Sequence, residues 1–488
     1  MSAAISMNFT FSGFIAAACA ALGKTARHAH TPPMRNLLRL LPIVLFLASC
    51  GPEKPTAAPE AKWQANLRNV LAKAQTTDGL RGAAIGLCVL DDQGGVVFDS
   101  QAHTAFIPAS ALKTVTTATA LEVLGPDFHF VTEFRAAAPM QNGLLEGDLV
   151  LVGGGDPMLD LTTLEQIAAK LHANGLRRIT GGIRVDANLI KGSLYPDFWN
   201  WGDIGNGYGS GVSALNLNHN RYTARFRPGT AIGQPAAFLG AEPEVPGVTF
   251  RNEVTTGPAG SGDRVMIHGG ENTPFIHLRG TLPLDAKGFT VTGAVPDPAA
   301  FAAHHFQRLL VARGIQIDGR LTSSAAPAKV VLLQHLSPPL IEIITSIHAT
   351  SDNHETECVL RLLGHQQQRD PVAVIRDHWK GRGLDFTRLR MEDGSGLSRA
   401  DFITPHDLAK LQHLAKTGPH GAAYRNSLLS SGPLRWKGGA MSGIRTITGF
   451  LKTSSGPEVT FTLMTNHFSD ASAAEALRDQ VLEVLQQQ

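Results

Sequence analysis

The sequence predicts a mixed α/β (α+β) fold, in which an antiparallel sheet flanked by helices is assembled from both ends of the chain, with smaller α+β or β-rich modules inserted between. Three observations predict it. Two apolar strands occur near the start. A long strand and a second with period-two alternation occur near the end. The stretch between is broken by frequent Gly and Pro and by few helices.

The elements follow in chain order. Trp63, Leu67, Val70, Leu71 and Ala74 recur at helical spacing and predict a first amphipathic helix. Residues 83–90 form an apolar run that reads as a buried strand; Asp91-Asp92-Gln93-Gly94-Gly95 turns it, and Val96-Val97-Phe98 returns. Pro108 then leads into a helical run from Ala111 to Leu124. From Phe130 to Pro327 short strands dominate, with a helix over 161–174. Helices return over 340–349 and 355–363. Strands follow over 444–451 and 459–464, joined by Ser454-Ser455-Gly456-Pro457, and Ser469 is placed to cap a last helix carrying Leu477, Val481, Val484 and Leu485 on one face. The expected division is a discontinuous domain over 62–135 and 328–488, with 136–327 inserted.

Net charge is +2, too close to zero to argue for a nucleic-acid partner. Near the N-terminus, Arg35 and Arg39 precede the apolar run 40–47, which ends in Ala48-Ser49-Cys50. A basic start, a short apolar core and small residues before a cleavage point predict an export signal, and the run is too short for a membrane-spanning helix. Leu47-Ala48-Ser49-Cys50 is similar to a lipobox, which makes Cys50 the expected site of lipidation and 51–61 a tether. Gly51 in place of an aspartate points to the outer membrane, so the expected location is the periplasm, on a lipid anchor. Residues 1–33 carry a second apolar stretch, and Met34 is the expected start of translation. Of four cysteines, Cys88 and Cys358 lie in apolar runs and read as buried free thiols. The 19 histidines form no compact ligand pattern, so no metal is expected.

Three short motifs carry chemistry. In Ser110-Ala111-Leu112-Lys113 the spacing of three puts hydroxyl and ammonium on one helix face, where a lysine of lowered pKa can activate the serine. Ser351-Asp352-Asn353 can cap a helix and also present a hydroxyl and an amide to one side of a loop. The third is a lysine on a strand. Lys437, followed by Gly438 and Gly439, is preferred over Lys452, because a strand backing a site needs glycine for close approach.

Such a set belongs to β-lactamases and penicillin-binding proteins. The chain more narrowly resembles peptidase S13, the D-alanyl-D-alanine carboxypeptidase/endopeptidase family of class C low-mass penicillin-binding proteins. Three further stretches carry the resemblance: Trp199-Asn200-Trp201-Gly202-Asp203 through Tyr208-Gly209 to Ser213-Ala214-Leu215; Asp393-Gly394-Ser395-Gly396-Leu397-Ser398-Arg399; and Gly153-Gly154-Gly155-Asp156-Pro157. The resemblance implies a β-lactamase/transpeptidase-like domain and a cofactor-free acyl-enzyme mechanism on peptidoglycan stem peptides, with β-lactams as substrate mimics. It implies Ser110 as nucleophile, Lys113 as base, and Ser351, Asn353 and Lys437 as proton relay and substrate grip. The Ser110 and Ala440 amides would form the oxyanion hole. Asp203, Tyr208 and Arg399 would meet the diaminopimelate side chain, with Gly439, Met441 and Ser442 alongside. Two alternatives stand beside it: a wall-binding lipoprotein that retains the fold but is catalytically impaired, and a β-lactamase.

One position departs from the family pattern. Gly438 stands where a threonine hydroxyl would hold the substrate's terminal carboxylate, a bond worth about 1.5–3 kcal/mol. Carboxypeptidase turnover should therefore be weak relative to cleavage of internal bonds. Gly438→Thr should raise the ratio of carboxypeptidase to endopeptidase turnover, and equal ratios in the two proteins would contradict the argument.

Overall fold

The computed structural model describes residues 61–319 and 328–488, so the expected signal, Cys50 and most of the tether lie outside the described residues. Helix α1 (Lys62–Ala74) leads into strands β1 (Ala84–Leu90) and β2 (Val96–Ser100). A short 3₁₀ turn (Ala109–Leu112) opens α2 (Lys113–Leu124). After the intervening region come α3 (Leu340–Thr350), α4 (Asn353–Gln367) and α5 (Pro405–Lys416). Strands β3 (Leu429–Ser431), β4 (Leu434–Met441), β5 (Ile444–Lys452) and β6 (Glu458–Asn466) follow, then α6 (Ala471–Gln486). The expected fold class holds, with one small correction. The last helix is capped by Asp470, which accepts from the Ser472 amide at 2.8 Å, rather than by Ser469.

Six strands form one antiparallel sheet in the order β3-β4-β5-β6-β1-β2. The β6–β1 pairing, from Ala84 opposite Asn466 to Leu90 opposite Thr460, closes the two ends of the chain into one sheet. Both strands are buried nearly end to end, so both faces must be covered. Leu67 and Leu71 of α1 and Leu477 and Val481 of α6 cover one face, against Leu87, Phe461 and Leu463. Val115 and Leu121 of α2 and Leu408 of α5 cover the other, against Phe450 and Met464.

Helix α2 is buried on every side along its first nine residues, although it carries four threonines. Each threonine hydroxyl has a partner: Thr114 donates to Ala111 O, Thr119 to Val115 O, Thr116 to Gly394 O, and Thr117 bonds His348. A helix that bonds its own polar side chains can pass through the core without stranded groups.

The region between has its own apolar core, around Phe134, Leu164, Tyr222, Ile267 and Phe306. Its strand Val131–Ala136 pairs antiparallel with Val330–Leu336, which brings the chain back beside its point of departure.

The segment before α2 is fixed by one side chain. Asn466, buried at the end of β6, accepts from the Ile107 amide at 2.8 Å and donates to the Ile107 carbonyl at 3.2 Å. Asn466→Ala would strand both backbone groups and should cost about 1–3 kcal/mol for each group left unpaired. Urea unfolding should show a lower midpoint with an unchanged slope, and an unchanged midpoint would contradict this role.

Candidate active site

Ser110 sits on the 3₁₀ turn at the mouth of α2, and two glycine backbones close over that turn. A Cβ on Gly439 would lie 2.6 Å from Pro108 O and 2.9 Å from the Ser110 amide nitrogen; one on Gly396 would lie 2.0 Å from Ala109 O. Ala109 itself is held at φ +48°, a left-handed conformation that a non-glycine residue keeps only when its surroundings impose it. One turn on, the Lys113 side chain is fully buried. Its ammonium donates to Ser110 Oγ at 3.1 Å, Asn353 Oδ1 at 2.6 Å and Ser395 O at 2.7 Å. Burial pushes Lys113 down to about 8, against the pull of the nearby carboxylates Asp393 and Glu357.

The second motif lies at the α3–α4 corner. Ser351 takes φ +61° and ends α3; Asp352 caps α4 by accepting from the Glu355 amide at 3.0 Å. Arg221 grips both Asp352 oxygens, at 2.6 and 3.1 Å. Burial opposes ionisation of Asp352, but the guanidinium outweighs it and holds the carboxyl well below the usual range. Asn353, bonded to Lys113 through its oxygen, donates through its nitrogen to Tyr208 O at 2.9 Å. From β4, Lys437 donates to Ser351 Oγ at 2.9 Å and to Gly438 O at 2.9 Å. Burial, then repulsion from Lys113, lowers Lys437 to about 7. The five residues Ser110, Lys113, Ser351, Asn353 and Lys437 thus meet as two hydrogen-bonded groups, and Ser110 and Ser351 line the same cavities.

Residues 437–441 of β4 have no strand partner on their outer edge among the described residues, because β3 pairs only with Leu434–Trp436. A substrate backbone can therefore add to that edge. Beside it, a cavity of about 420 Å³ is lined by Ser110, Asn353, Asp203, Tyr208, Arg399 and Met441, with Ala440 and Ser442 at the same wall. Asp203 accepts from Tyr208 OH at 3.1 Å and from Asn200 Nδ2 at 3.0 Å. Burial and the Asp203 charge raise the Tyr208 phenol to about 12. Arg399 donates to Ser442 O at 3.2 and 3.3 Å, closing the far wall.

A scan of family models matches residues 65–488 to the D-Ala-D-Ala carboxypeptidase 3 (S13) family. The chain belongs to that family. As an S13 protein it is an enzyme of the serine-type D-Ala-D-Ala carboxypeptidase class. It is 30% identical over 471 residues to a D-alanyl-D-alanine carboxypeptidase of Actinomadura sp. (strain R39), covering 88% of this chain and 86% of that protein. It is 26% identical to the D-alanyl-D-alanine carboxypeptidase DacB of Haemophilus influenzae, over 78% of this chain and 84% of that one. The crystal structure of penicillin binding protein 4 from Haemophilus influenzae shares the fold, with a TM-score of 0.75 at 22% identity, covering 86% of this chain and 97% of that chain.

Several groups that shape this S13 site escaped the sequence argument. The Ser395 carbonyl is a backbone acceptor, and its loop is held from below. Glu357 accepts from the Gly394 and Ser395 amides at 2.9 and 2.8 Å, and Asp393 accepts from Gly396 and Ser398 amides at 2.6 and 2.8 Å. Trp199, from the inserted region, donates to Asp393 at 2.7 Å. Burial and the Asp393 charge raise Glu357 to about 7 and Asp401 to about 10, so Asp401 is a neutral acid at neutral pH. Beneath Lys437, His348 bonds Thr117 and Ser427, each at 2.9 Å, and burial drives it down to about 3, so it is neutral.

Cys88 and Cys358 are buried and free, as expected. Among the described residues one trio has metal-ligand spacing, His219, Asp352 and Glu355. Arg221 already grips both Asp352 oxygens and His219 is hydrogen-bonded to Glu355 at 2.9 Å, so the trio is taken up by contacts that brace the corner.

Proposed function

We propose that this chain hydrolyses D-alanyl peptide bonds of peptidoglycan, both terminal and cross-linking, through an acyl-enzyme on Ser110. The observation that carries the reading is the Lys113 ammonium at 3.1 Å from Ser110 Oγ, with its pKa brought by burial to about 8. Near neutral pH an appreciable fraction of such a lysine is an uncharged amine with a free lone pair. That amine takes the Ser110 proton as Oγ attacks the carbonyl carbon of the penultimate D-alanine. The developing oxyanion is met by the Ser110 and Ala440 amides, a donor pair whose members are each worth about 3 kcal/mol in the transition state. Ser351 passes its proton to the departing amine and takes one from Lys437 in its place, and the C–N bond breaks. Water then attacks the ester carbonyl, its proton returning through Ser351 to Lys437, and Lys113 gives back its proton to Ser110 Oγ as the C–O bond breaks.

Asn353 and the free edge of β4 hold the substrate backbone, Gly439 allowing the close approach. The cavity holding Asp203 takes the side chain of the acyl-donor peptide. The Asp203 carboxylate pairs with the free ammonium of a diamino acid, steadied by Tyr208, while Arg399, Met441 and Ser442 wall the pocket. A β-lactam fits as a mimic of the D-Ala-D-Ala end. We assign the catalytic domain to 62–130 and 337–488; the strand pair Val131–Ala136 and Val330–Leu336 packs with the inserted core, which moves both boundaries a few residues from the expected 135 and 328. The basic-apolar segment ending at Cys50 supports export to the periplasm and a lipid anchor, at the outer membrane by the residue that follows. No helix among the described residues is long and apolar enough to cross a membrane. The impaired-lipoprotein alternative draws only on Gly438; the intact Ser110–Lys113 contact weighs against it.

Intact-mass analysis after incubation with a fluorescent penicillin should show one covalent adduct on the wild type and none on Ser110→Ala. An adduct that persists in Ser110→Ala, or an unlabelled wild type, would overturn the reading.

A further inference from the structure

The cleft has a second arm. Successive residues of β4 alternate between the faces of the sheet: Lys437 and Gly439 face Ser351 and Ser110, so Trp436, Gly438 and Ala440 face α6. On that side, Gly438 and Ala440 leave a gap against Ala474 of α6. A Cβ on Gly438 would meet nothing nearer than Thr446 O at 3.8 Å. The result is a cavity of about 510 Å³ that begins at Ser110, Ser351 and Lys437 and runs round the free edge of β4 to the α6 side. Its floor is mainly apolar, from Ile447, Leu463 and Ala474, all buried, together with the buried Thr446 and Thr465. Its rim is charged, from Arg445, Glu475 and Arg478. Arg445 contacts Glu475 at 3.4 Å and Arg478 contacts Asp479 at 2.8 Å; both pairs are partly exposed and so exchange readily for another carboxylate.

We propose that this arm is the leaving-group subsite, shaped for a released residue larger than alanine that carries a carboxylate, as in a cross-linked wall peptide. The inference rests on the reading of Ser110 given above. Both arms meet at Ser110, Ser351 and Ala440. The arm with Asp203 takes the acyl donor; a third cavity reaches Ser351 and Asn353 but neither Ser110 nor Lys437, so this arm is the one placed for the part beyond the scissile bond. Its volume falls in the range of roughly 300–1,000 Å³ that encloses whole small ligands, far more than a terminal alanine fills. Along Lys437-Gly438-Gly439-Ala440 the strand offers no hydroxyl to fix a terminal carboxylate beside the scissile bond. The cations stand at the outer rim, where the carboxylate of a longer residue arrives. Gly438 is thus the opening to the subsite as well as a lost hydrogen bond.

The test uses the whole chain as wild type, Ala474→Phe, which fills the floor, and Arg478→Glu, which reverses charge on the rim without touching the core. Each is assayed by chromatography on a cross-linked peptide dimer and on a monomer ending in D-Ala-D-Ala, with fluorescent-penicillin labelling alongside. Both variants should keep the wild-type label. Each should lose about tenfold in kcat/KM on the dimer and less than about twofold on the monomer. Equal losses on the two substrates, or undiminished cleavage of the dimer by Arg478→Glu, would overturn the subsite. Failure of the wild type to label would instead overturn the reading of Ser110 on which it rests.

Discussion

A fully buried ammonium group is the constraint around which this structure is arranged. Lys113 reaches no solvent, and a buried cation left unpaired costs about 3–5 kcal/mol. Its three acceptors come from three separated parts of the chain: Ser110 one turn away, Asn353 at the α3–α4 corner, and the Ser395 carbonyl. Each acceptor needs its own support. Asn466 ties down the approach to Ser110, Arg221 fixes the corner through Asp352, and Glu357 and Asp393 hold the 393–398 loop by its amides. The same carboxylates limit how far burial can lower the lysine. Desolvation and counter-charge together leave it near the pH at which a general base is useful.

The inserted region takes part in this arrangement. Trp199 donates to Asp393 beneath the loop, and the Tyr208 carbonyl accepts from Asn353, the residue that also accepts from Lys113. One stretch of insertion therefore supplies the Asp203 pocket and braces two of the three lysine partners. On the proposed reading of the Asp203 pocket, an acyl-donor side chain would be met by the same stretch of chain that holds Asn353 and the 393–398 loop against Lys113.

Much of this was legible in the sequence, for definite reasons. The terminal helices were visible because burial imposes a period of 3.6 on apolar residues, and the strands because both their faces are buried and they read as short apolar runs bounded by turn residues; those at 444–452 and 458–466 fall close to the expected runs. Ser110, Lys113, Ser351 and Asn353 were visible because their spacings are local. The need for glycine singles out Lys437 over Lys452, and Gly439 does press on the Ser110 turn. What escaped depends on tertiary contact. The Ser395 carbonyl has no side-chain signature. The Arg221–Asp352 pair, the neutral acid Asp401 and neutral His348 owe their states to burial that no local pattern encodes. The cap at Asp470 in place of Ser469 is a one-residue shift between two equally good cap residues.

The central claim is that Lys113, uncharged, is the base that activates Ser110. The pH dependence of Ser110 acylation by a β-lactam under single-turnover conditions tests it most directly. The account predicts a rate that climbs about tenfold per pH unit below neutrality and levels near pH 8, as the buried ammonium gives up its proton. A rate that is flat from pH 6 to 9, or that falls as pH rises toward 8, would contradict it.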